Sequence, residues 1–323
     1  MSSDYIARLR HELLRAGADV QTRRRPVRAT RALRPPAIAA AVLAVVALAL
    51  VVVWPANVGD QRPAEPADGA VMLDYRVDPP GAAEQTAQVL RERLVAADVR
   101  GAEVSVSSDG ALTITAPAAD RGAVTALTGP GRVAFFDWEA CVLGSDGTPA
   151  PTDPSVTGGA DAGRGAAVSK AEAERRAAAQ PNGRVVRAED GTGWFALAGE
   201  PALTDADIAG AAATVIQATA HPIVVVDLTP RGEAAFTELT RELAQRGLDR
   251  ATPAEDAIEA TQHLAIVIDD RIVSMPFIDF NVAPNGIDGS DGAQISGNLT
   301  EEGARRLASI IDSGPLPGDL TGP

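Results

Sequence analysis

The chain has 323 residues, of which 46% are hydrophobic and 22% charged, and a formal net charge of −14 at pH 7. This length is enough for two small domains with cores of their own. The single cysteine, Cys141, excludes an intrachain disulfide and a cysteine-based zinc site, and the acidic balance argues against nucleic-acid binding because it repels phosphate.

The first element is an apolar segment of seventeen residues, Ala37–Val53, followed by Trp54. As a helix it spans roughly 26 Å, which fits a hydrocarbon core of about 30 Å with the tryptophan at the interface. A buried soluble helix and a cleaved signal peptide are the alternatives. The long preceding region and the lack of a small-residue cleavage site disfavour the signal peptide. The sequence therefore predicts a single transmembrane helix over residues 37–54.

Charge predicts the orientation of this helix. Residues 1–36 contain nine arginines and three acidic residues, whereas the rest of the chain carries a net charge of −20. Positive flanks stay in the cytoplasm, so the main domains are expected outside the cell membrane. The basic tail and residues 37–54 are expected to contact membrane lipid. Residues 55–69 are rich in proline and charge and are typical of a linker.

Residues 70–138 have the pattern of a ferredoxin-like base domain, because strands and helices alternate in the order β-α-β-β-α-β. The second and third strands flank Asp109-Gly110, a strong hairpin signal. The predicted elements are the strand Val71–Val77, the helix Gly81–Ala97, the strands Glu103–Ser107 and Leu112–Ala116, the helix Asp120–Thr128 and the strand Arg132–Asp137.

Residues 139–199 are predicted to be an insertion. Its first part, Cys141–Gly165, is rich in glycine and proline and is expected to be loosely packed. Ser169–Ala179 favours a helix, and Ser169 is suited to its N-cap. The segments Val185–Arg187 and Trp194–Leu197 are expected to pair as an irregular hairpin.

Residues 200–317 are predicted to form a smaller α+β head domain, and residues 318–323 a tail. Its two β-type runs, Leu264–Ile268 and Arg271–Met275, are joined at Asp269-Asp270, which indicates a tight hairpin. The other predicted elements are the helix Asp205–Gln217 behind a capping box of Thr204 and Asp207, the strand Ile223–Leu228, the helix Gly232–Gln245, the segment Gly247–Gln262 as a loop with a helical turn, the strand Gln294–Ser296 and a helix from Thr300 to Gly314.

Four apolar residues cluster after the second hairpin strand, namely Met275, Phe277, Ile278 and Phe280. In a chain with 3% aromatic residues such a cluster is typical of a core, which is the favoured interpretation. The alternative is a groove that binds extended polypeptide through side-chain pockets or by strand addition. These residues are therefore the candidate polypeptide-binding site.

No residue pattern indicates catalysis, a metal site or a cofactor. A serine-histidine-aspartate triad lacks a G-x-S-x-G elbow, and no glycine-rich phosphate loop occurs between a strand and a helix. Asp269-Asp270 is interpreted as a turn whose carboxylates point into water. The loop Asn285–Gly292 is interpreted as flexible and solvated, since it lacks the spacing and the terminal glutamate of an EF-hand.

The order of the signals in His263–Pro317 resembles the head of the first periplasmic domain of SecD, the larger half of the SecDF protein-export membrane protein. The segments Glu200–Thr204 and Val224–Phe236 resemble the same head, and Gln88–Val99 and Leu112–Pro117 resemble the base region of that domain. The resemblance implies a base and a head outside the membrane. It also implies exported or unfolded polypeptides, and the Sec translocon, as partners.

SecDF is driven by proton flow through a multi-helix membrane domain, whereas this sequence ends at Pro323 after one apolar segment. We therefore expect a non-motor accessory that binds or guides exported polypeptides. The alternative is a single-pass envelope receptor or scaffold that uses the same fold without a role in export, because a fold does not determine a function.

Overall fold

The computed structural model describes residues 69–149, 167–216, 219–251, 260–297 and 299–322. The basic tail, the predicted transmembrane helix 37–54 and all of the linker before Gly69 lie outside these ranges, so those predictions stay predictions. None of the helices within the described ranges is long and apolar enough to cross a membrane.

The described residues form a mixed α+β structure, which confirms the α+β part of the predicted fold class. The helices are α1 Ala83–Ala96, α2 Arg121–Leu127, α3 Trp138–Cys141, α4 Lys170–Ala178, α5 Pro230–Arg250 and α6 Glu301–Ser313. The strands are β1 Ala70–Asp78, β2 Glu103–Val106, β3 Ala111–Pro117, β4 Val133–Asp137, β5 Arg184–Arg187, β6 Trp194–Leu197, β7 Leu203–Thr204, β8 Ile208–Ile216, β9 His221–Leu228, β10 Gln262–Ile268, β11 Arg271–Ser274, β12 Phe277–Ile278, β13 Ala293–Ile295 and β14 Asp319–Thr321.

The base sheet has the strand order β14-β1-β3-β2, and all its neighbours are antiparallel. The first three predicted strands pair as expected, but the complete ferredoxin-like unit is not confirmed. The strand β4 leaves this sheet, and the C-terminal strand β14 takes the place beside β1. Because Phe135 and Phe136 are both fully buried, β4 needs cover on both faces, which an outer strand of a small sheet lacks.

The head sheet has the order β6-β5-β11-β10-β4-β7, with β12 paired to one end of β10. Every residue of β10 is buried, as expected for a central strand. The predicted hairpins β5–β6 and β10–β11 both form. In the second hairpin Asp269 and Asp270 have φ values of 49° and 59°, which are typical of a two-residue hairpin turn.

The third sheet has the order β13-β9-β8, and it corrects the prediction of a helix over Asp205–Gln217. The capping box of Thr204 and Asp207 forms, but it caps a single 3₁₀ turn. The following residues Ile208–Ile216 are a strand, because they pair along their length with the valine-rich β9. Cross-strand pairing therefore overrides the helix propensity of the alanines.

Two further predictions are refined and two caps are confirmed. Helix α5 continues to Arg250, so the helical turn expected within Gly247–Gln262 is the last turn of this helix. Residues Trp138–Cys141 form a helical turn, so Cys141, the first residue of the segment expected to be loosely packed, belongs to a helix. The side chains of Ser169 and Thr300 accept N-cap hydrogen bonds as predicted.

One hydrophobic core runs through the base and the head. It contains Leu90 and Ile114 from the base together with Phe135, Phe236 and Ile311 from the head. The rings of Phe135 and Phe236 meet edge to face with their centroids 6.4 Å apart. Helix α6 packs against α1 on one side and against β8 and β9 on the other. This arrangement gives helix α6 a fixed position between the base and the third sheet.

Candidate functional site

A groove lies between the head sheet and helix α6, with a cavity volume of about 950 Å³. This groove is called the head groove here. Its apolar wall comes from four parts of the chain, namely strand β6, strand β11, the segment after β11, and the segment around helix α6. The six apolar residues that define it are Phe195, Ile272, Met275, Leu299, Leu307 and Ile310, and Val273 and three alanines complete the apolar lining.

The burial of these side chains separates a floor from a rim. Phe195, Ile272, Met275 and Ile310 are buried and form the floor, whereas Leu307 is half-buried. Fixed apolar side chains below half-exposed ones are the usual composition of a binding cleft. The groove can therefore bury apolar surface of a ligand without a large rearrangement.

Charged side chains lie at the rim of the head groove. Arg271 donates from Nη2 to the carbonyl oxygen of Glu189 at 3.0 Å. Arg306 lies 3.9 Å from the Glu302 carboxylate on the next turn of α6. Both are solvent-accessible contacts, so they contribute little to stability and leave their charges open to a ligand.

The four residues of the predicted polypeptide-binding cluster do not form one surface. Met275 lies in the floor of the head groove, as one of its lining residues. Ile278 and Phe280 are buried in the core, at 2% and 4% exposure. Phe277 is 39% exposed and packs edge to face against His263, with the ring centroids 6.4 Å apart. The core interpretation thus describes three of the four residues.

Sequence reasoning missed most of the head groove. The sequence pattern of α6 puts Leu307 in one apolar stripe with Ala304, Ala308 and Ile311, but only the last three of these are buried. The structure turns Leu307 toward the groove instead. The signal that could have found it is the width of the stripe, since Leu307 and Ile310 extend it beyond one narrow face.

Comparison with known proteins gives the family of the region that contains the groove. A family model described as SecDF, P1 head subdomain matches residues 183–318. Residues 183–318 are a SecDF P1 head subdomain. The match includes strands β5–β13, helices α5 and α6, and all six apolar residues of the head groove.

Two relatives of this SecDF P1 head subdomain are both described as protein translocase subunit SecD. The one from Aquifex aeolicus is 31% identical over 142 residues, which cover 43% of this chain and 23% of the relative. The one from Calditerrivibrio nitroreducens is 30% identical over 100 residues, which cover 31% of this chain and 15% of the relative. The matched regions therefore span less than a quarter of these relatives.

Two solved structures are also similar. One is described as "Structure and function of a membrane component SecDF that enhances protein export"; it is 20% identical, with a TM-score of 0.45, and the match covers 78% of this chain and 97% of that one. The other is described as "Crystal structure of SecDF in Super-membrane-facing form"; it is 22% identical, with a TM-score of 0.46, and the match covers 81% of this chain and 31% of that one.

Asp269, in a hairpin of the SecDF P1 head subdomain, does not point into water as predicted. Its Oδ1 accepts hydrogen bonds from the main-chain N–H groups of Gly131 at 2.7 Å and Arg132 at 2.9 Å. Oδ2 would lie 2.5 Å from a Cβ at Gly129, so only glycine fits there without a shift. The carboxylate therefore fixes the segment that enters β4, which is a structural role.

The loop Asn285–Gly292 of the SecDF P1 head subdomain is packed rather than freely solvated. The hydroxyls of Thr237 and Thr240 on α5 accept from the N–H groups of Gly289 and Ile287, each at 2.8 Å. A Cβ at Gly289 would lie 2.2 Å from the carbonyl oxygen of Glu233. Within the described ranges, no group of three or more His, Cys, Asp or Glu side chains is placed to hold a metal ion.

The remaining candidates for chemistry are buried. Nδ1 of His263 lies 2.7 Å from Oε1 of Glu139, and both side chains are 3% exposed. Burial raises the pKa of the Cys141 thiol to about 11, and the nearby Asp137 carboxylate acts in the same direction. A thiol with a raised pKa is a poor nucleophile at neutral pH because little thiolate is present. Cys141 is thus suited to packing.

Proposed function

We propose that this chain is a single-pass membrane protein whose extracytoplasmic SecDF P1 head subdomain binds or guides exported polypeptides. It would act as a non-motor accessory of Sec-type protein export, with the Sec translocon as a second partner. The observation that carries the proposal is the head groove, which lies inside the region matched by the SecDF P1 head family. The relatives named protein translocase subunit SecD support the process.

The chemistry of the groove suits an unfolded polypeptide. An unfolded chain exposes apolar side chains, and burying them is favourable by about 25 cal/mol per Å². The floor offers the thioether of Met275 and the ring of Phe195, which adapt to different apolar side chains. The rim charges of Arg271 and Arg306 can pair with polar parts of the same ligand. Such a site binds many sequences with modest affinity.

A charge in the head groove should weaken this binding. We expect Leu307→Asp to raise the dissociation constant for a fluorescent secretory precursor, kept unfolded in dilute urea, by about tenfold or more, because an unpaired carboxylate then opposes burial of apolar surface. Fluorescence anisotropy with the purified full-length chain measures the effect. Leu299→Ser provides a second, milder change in the same wall.

The matched control is Leu248→Asp, because Leu248 is 54% exposed on α5 and does not line the groove. It should bind the precursor as the wild type does. Urea unfolding curves of all variants show whether each is folded at the assay temperature. Equal affinities for Leu307→Asp, Leu299→Ser and the wild type would remove the groove as the binding site.

The proposed topology has its own test. Alkaline phosphatase fused after Pro323 should be active in cells, because this enzyme folds only outside the cytoplasm and the acidic domains are expected there. A fusion before Ala37 should be inactive. Activity of the enzyme in the second fusion and not in the first would contradict the proposed orientation of residues 37–54.

A further inference from the structure

Strand β8 differs from the other strands at the edges of the three sheets. Unpaired edges attract foreign strands, and native proteins keep them short, charged or covered. Five edge strands of the described residues follow this rule, with lengths of two to four residues: β2, β6, β7, β13 and β14. Strand β8 has nine residues, Ile208–Ile216, without a charge or a proline.

The longer of these other edges also carry specific protection. In β2 the guanidinium of Arg91 donates to the carbonyl oxygen of Val104 at 3.0 Å. At β6 isolated bridges connect Leu197 to Val142 and Trp194 to Val168, so further chain lies along its outer side. Strand β8 has no such bridge among the described residues.

The register shows which main-chain groups of β8 face away from β9. Val215 lies opposite Pro222, which has no N–H to offer, so this pair is a non-hydrogen-bonded one. Residues two apart share a side, and therefore Ala211 and Ala213 face the same way as Val215. An independent contact agrees, because the N–H of Ala211 donates to Asp312 Oδ1 at 3.1 Å.

Asp312 pairs with only one outward-facing N–H group of this edge, that of Ala211. Beyond it, Ala213 and Val215 present their N–H and C=O groups on the outer side of β8, where no further strand of the described residues pairs. Thr214 and Val215 are exposed, and Val215 is 42% exposed. The open part of the edge therefore runs from Ala213 toward the end of the strand.

We propose that this edge binds an extended polypeptide segment as a fourth strand of the β13-β9-β8 sheet. Only an extended main chain alternates donors and acceptors at the two-residue spacing that the edge presents. The partner segment is free of acidic residues, since Asp312 lies at one end of the edge and the chain is acidic. The proposal adds a surface to the proposed polypeptide binding and does not require the head groove.

A soluble strand-forming peptide tests the edge. The probe is a fluorescent peptide of alternating valine and threonine with a lysine at each end. Ala213→Pro removes one outward N–H, and Val215→Lys places a charge at the edge. Each should weaken peptide binding to the full-length chain roughly tenfold, since one main-chain hydrogen bond is lost or one apolar contact becomes charged.

The matched control is Val95→Lys, the same substitution at a valine that is 80% exposed on α1. It should leave peptide affinity unchanged. Hydrogen exchange adds a readout at single residues: the amide protons of Ala213 and Val215 should become at least about tenfold slower to exchange when the peptide is bound. The amide of Ala211, already bonded to Asp312, should change less.

The outcomes separate this proposal from the proposed function. Leu307→Asp should still bind the strand peptide while it loses the unfolded precursor. Peptide binding that Leu307→Asp abolishes and Val215→Lys leaves intact would overturn the edge proposal and support the groove. A wild-type chain that binds no peptide overturns it as well. A concentration-dependent dimer that Val215→Lys dissociates would show a second copy as the occupant, which also overturns it.

Discussion

Replacing Arg93 with methionine is expected to lower the free energy of unfolding by about 3–5 kcal/mol, as when one partner of a buried charged network is removed. Arg93 is fully buried on α1. All five guanidinium N–H groups are used. Their acceptors are the carbonyl oxygens of Leu127, Gly129, Pro130 and Gly314 and the hydroxyl of Ser313, at 2.6–3.2 Å.

The large effect follows from what these acceptors connect. Leu127, Gly129 and Pro130 belong to the segment that leads from the base into β4, and Ser313 and Gly314 end helix α6. Arg93 therefore bonds to both crossings between base and head. Burial lowers the pKa of Arg93 to about 10, and the Asp269 carboxylate opposes the shift, so the guanidinium stays charged at neutral pH. Methionine would remove all five of these hydrogen bonds, although the Pro130 carbonyl would keep its bond from the Leu316 N–H.

Urea unfolding at pH 7, followed by circular dichroism, measures the loss. Arg93→Lys should fall between methionine and wild type, because an ammonium has three donors and no planar fork. Arg100→Met is the control on the same side of the base: its side chain is 87% exposed and should leave the midpoint unchanged. A midpoint for Arg93→Met equal to that of wild type would show that water satisfies these carbonyl groups.

Much of the head could be read from the sequence because its signals are local. The turn at Asp269-Asp270, the cap at Thr300 and the end of the last helix at Gly314 each depend on neighbouring residues, and all three form. Local signals also show the order of these elements along the chain. This order was enough to identify the resemblance to the SecD head, since the family model matches a region that includes the same elements.

Pairing partners were harder to predict, because they depend on residues far apart in the chain. Arg132–Asp137 was predicted as a strand, but nothing local shows that its partner is β10 rather than β1. The helix predicted over Asp205–Gln217 failed for the same reason: alanine favours a helix in isolation, and the pairing with β9 reverses that preference.

The head groove contains one residue that a local sequence signal identifies and others that only long-range packing brings together. Met275 was named because it belongs to a local apolar cluster, and it does line the groove. Phe195 and Ile310 come from segments more than one hundred residues apart, and their proximity arises only when α6 packs beside the head sheet. A single sequence carries no signal for such a contact, and Met275 is the one residue of the predicted cluster that lines the groove.

The second large effect is expected at the buried pair of Glu139 and His263. Glu139→Ala should lower the free energy of unfolding by about 3–5 kcal/mol, because it leaves a buried imidazole and a buried main-chain N–H without their acceptor. Oε1 lies 2.7 Å from Nδ1 of His263, and Oε2 accepts from the His263 N–H at 2.9 Å. Both side chains are 3% exposed, so water cannot replace the carboxylate easily.

Glu139→Gln removes the negative charge but keeps nearly the same volume, and its amide oxygen can still accept from the main-chain N–H of His263. We expect it to lose about 1–2 kcal/mol, less than alanine. Glu174→Ala is the matched control: its carboxylate, 55% exposed, lies 3.7 Å from Lys170, and its loss should cost at most about 0.5 kcal/mol. If alanine at 139 and at 174 gave the same urea midpoint, the buried pair would contribute nothing to stability. A double variant, Glu139→Leu with His263→Leu, should be more stable than Glu139→Ala. Both variants lack the carboxylate, but the double variant has no buried imidazole that is left without a partner.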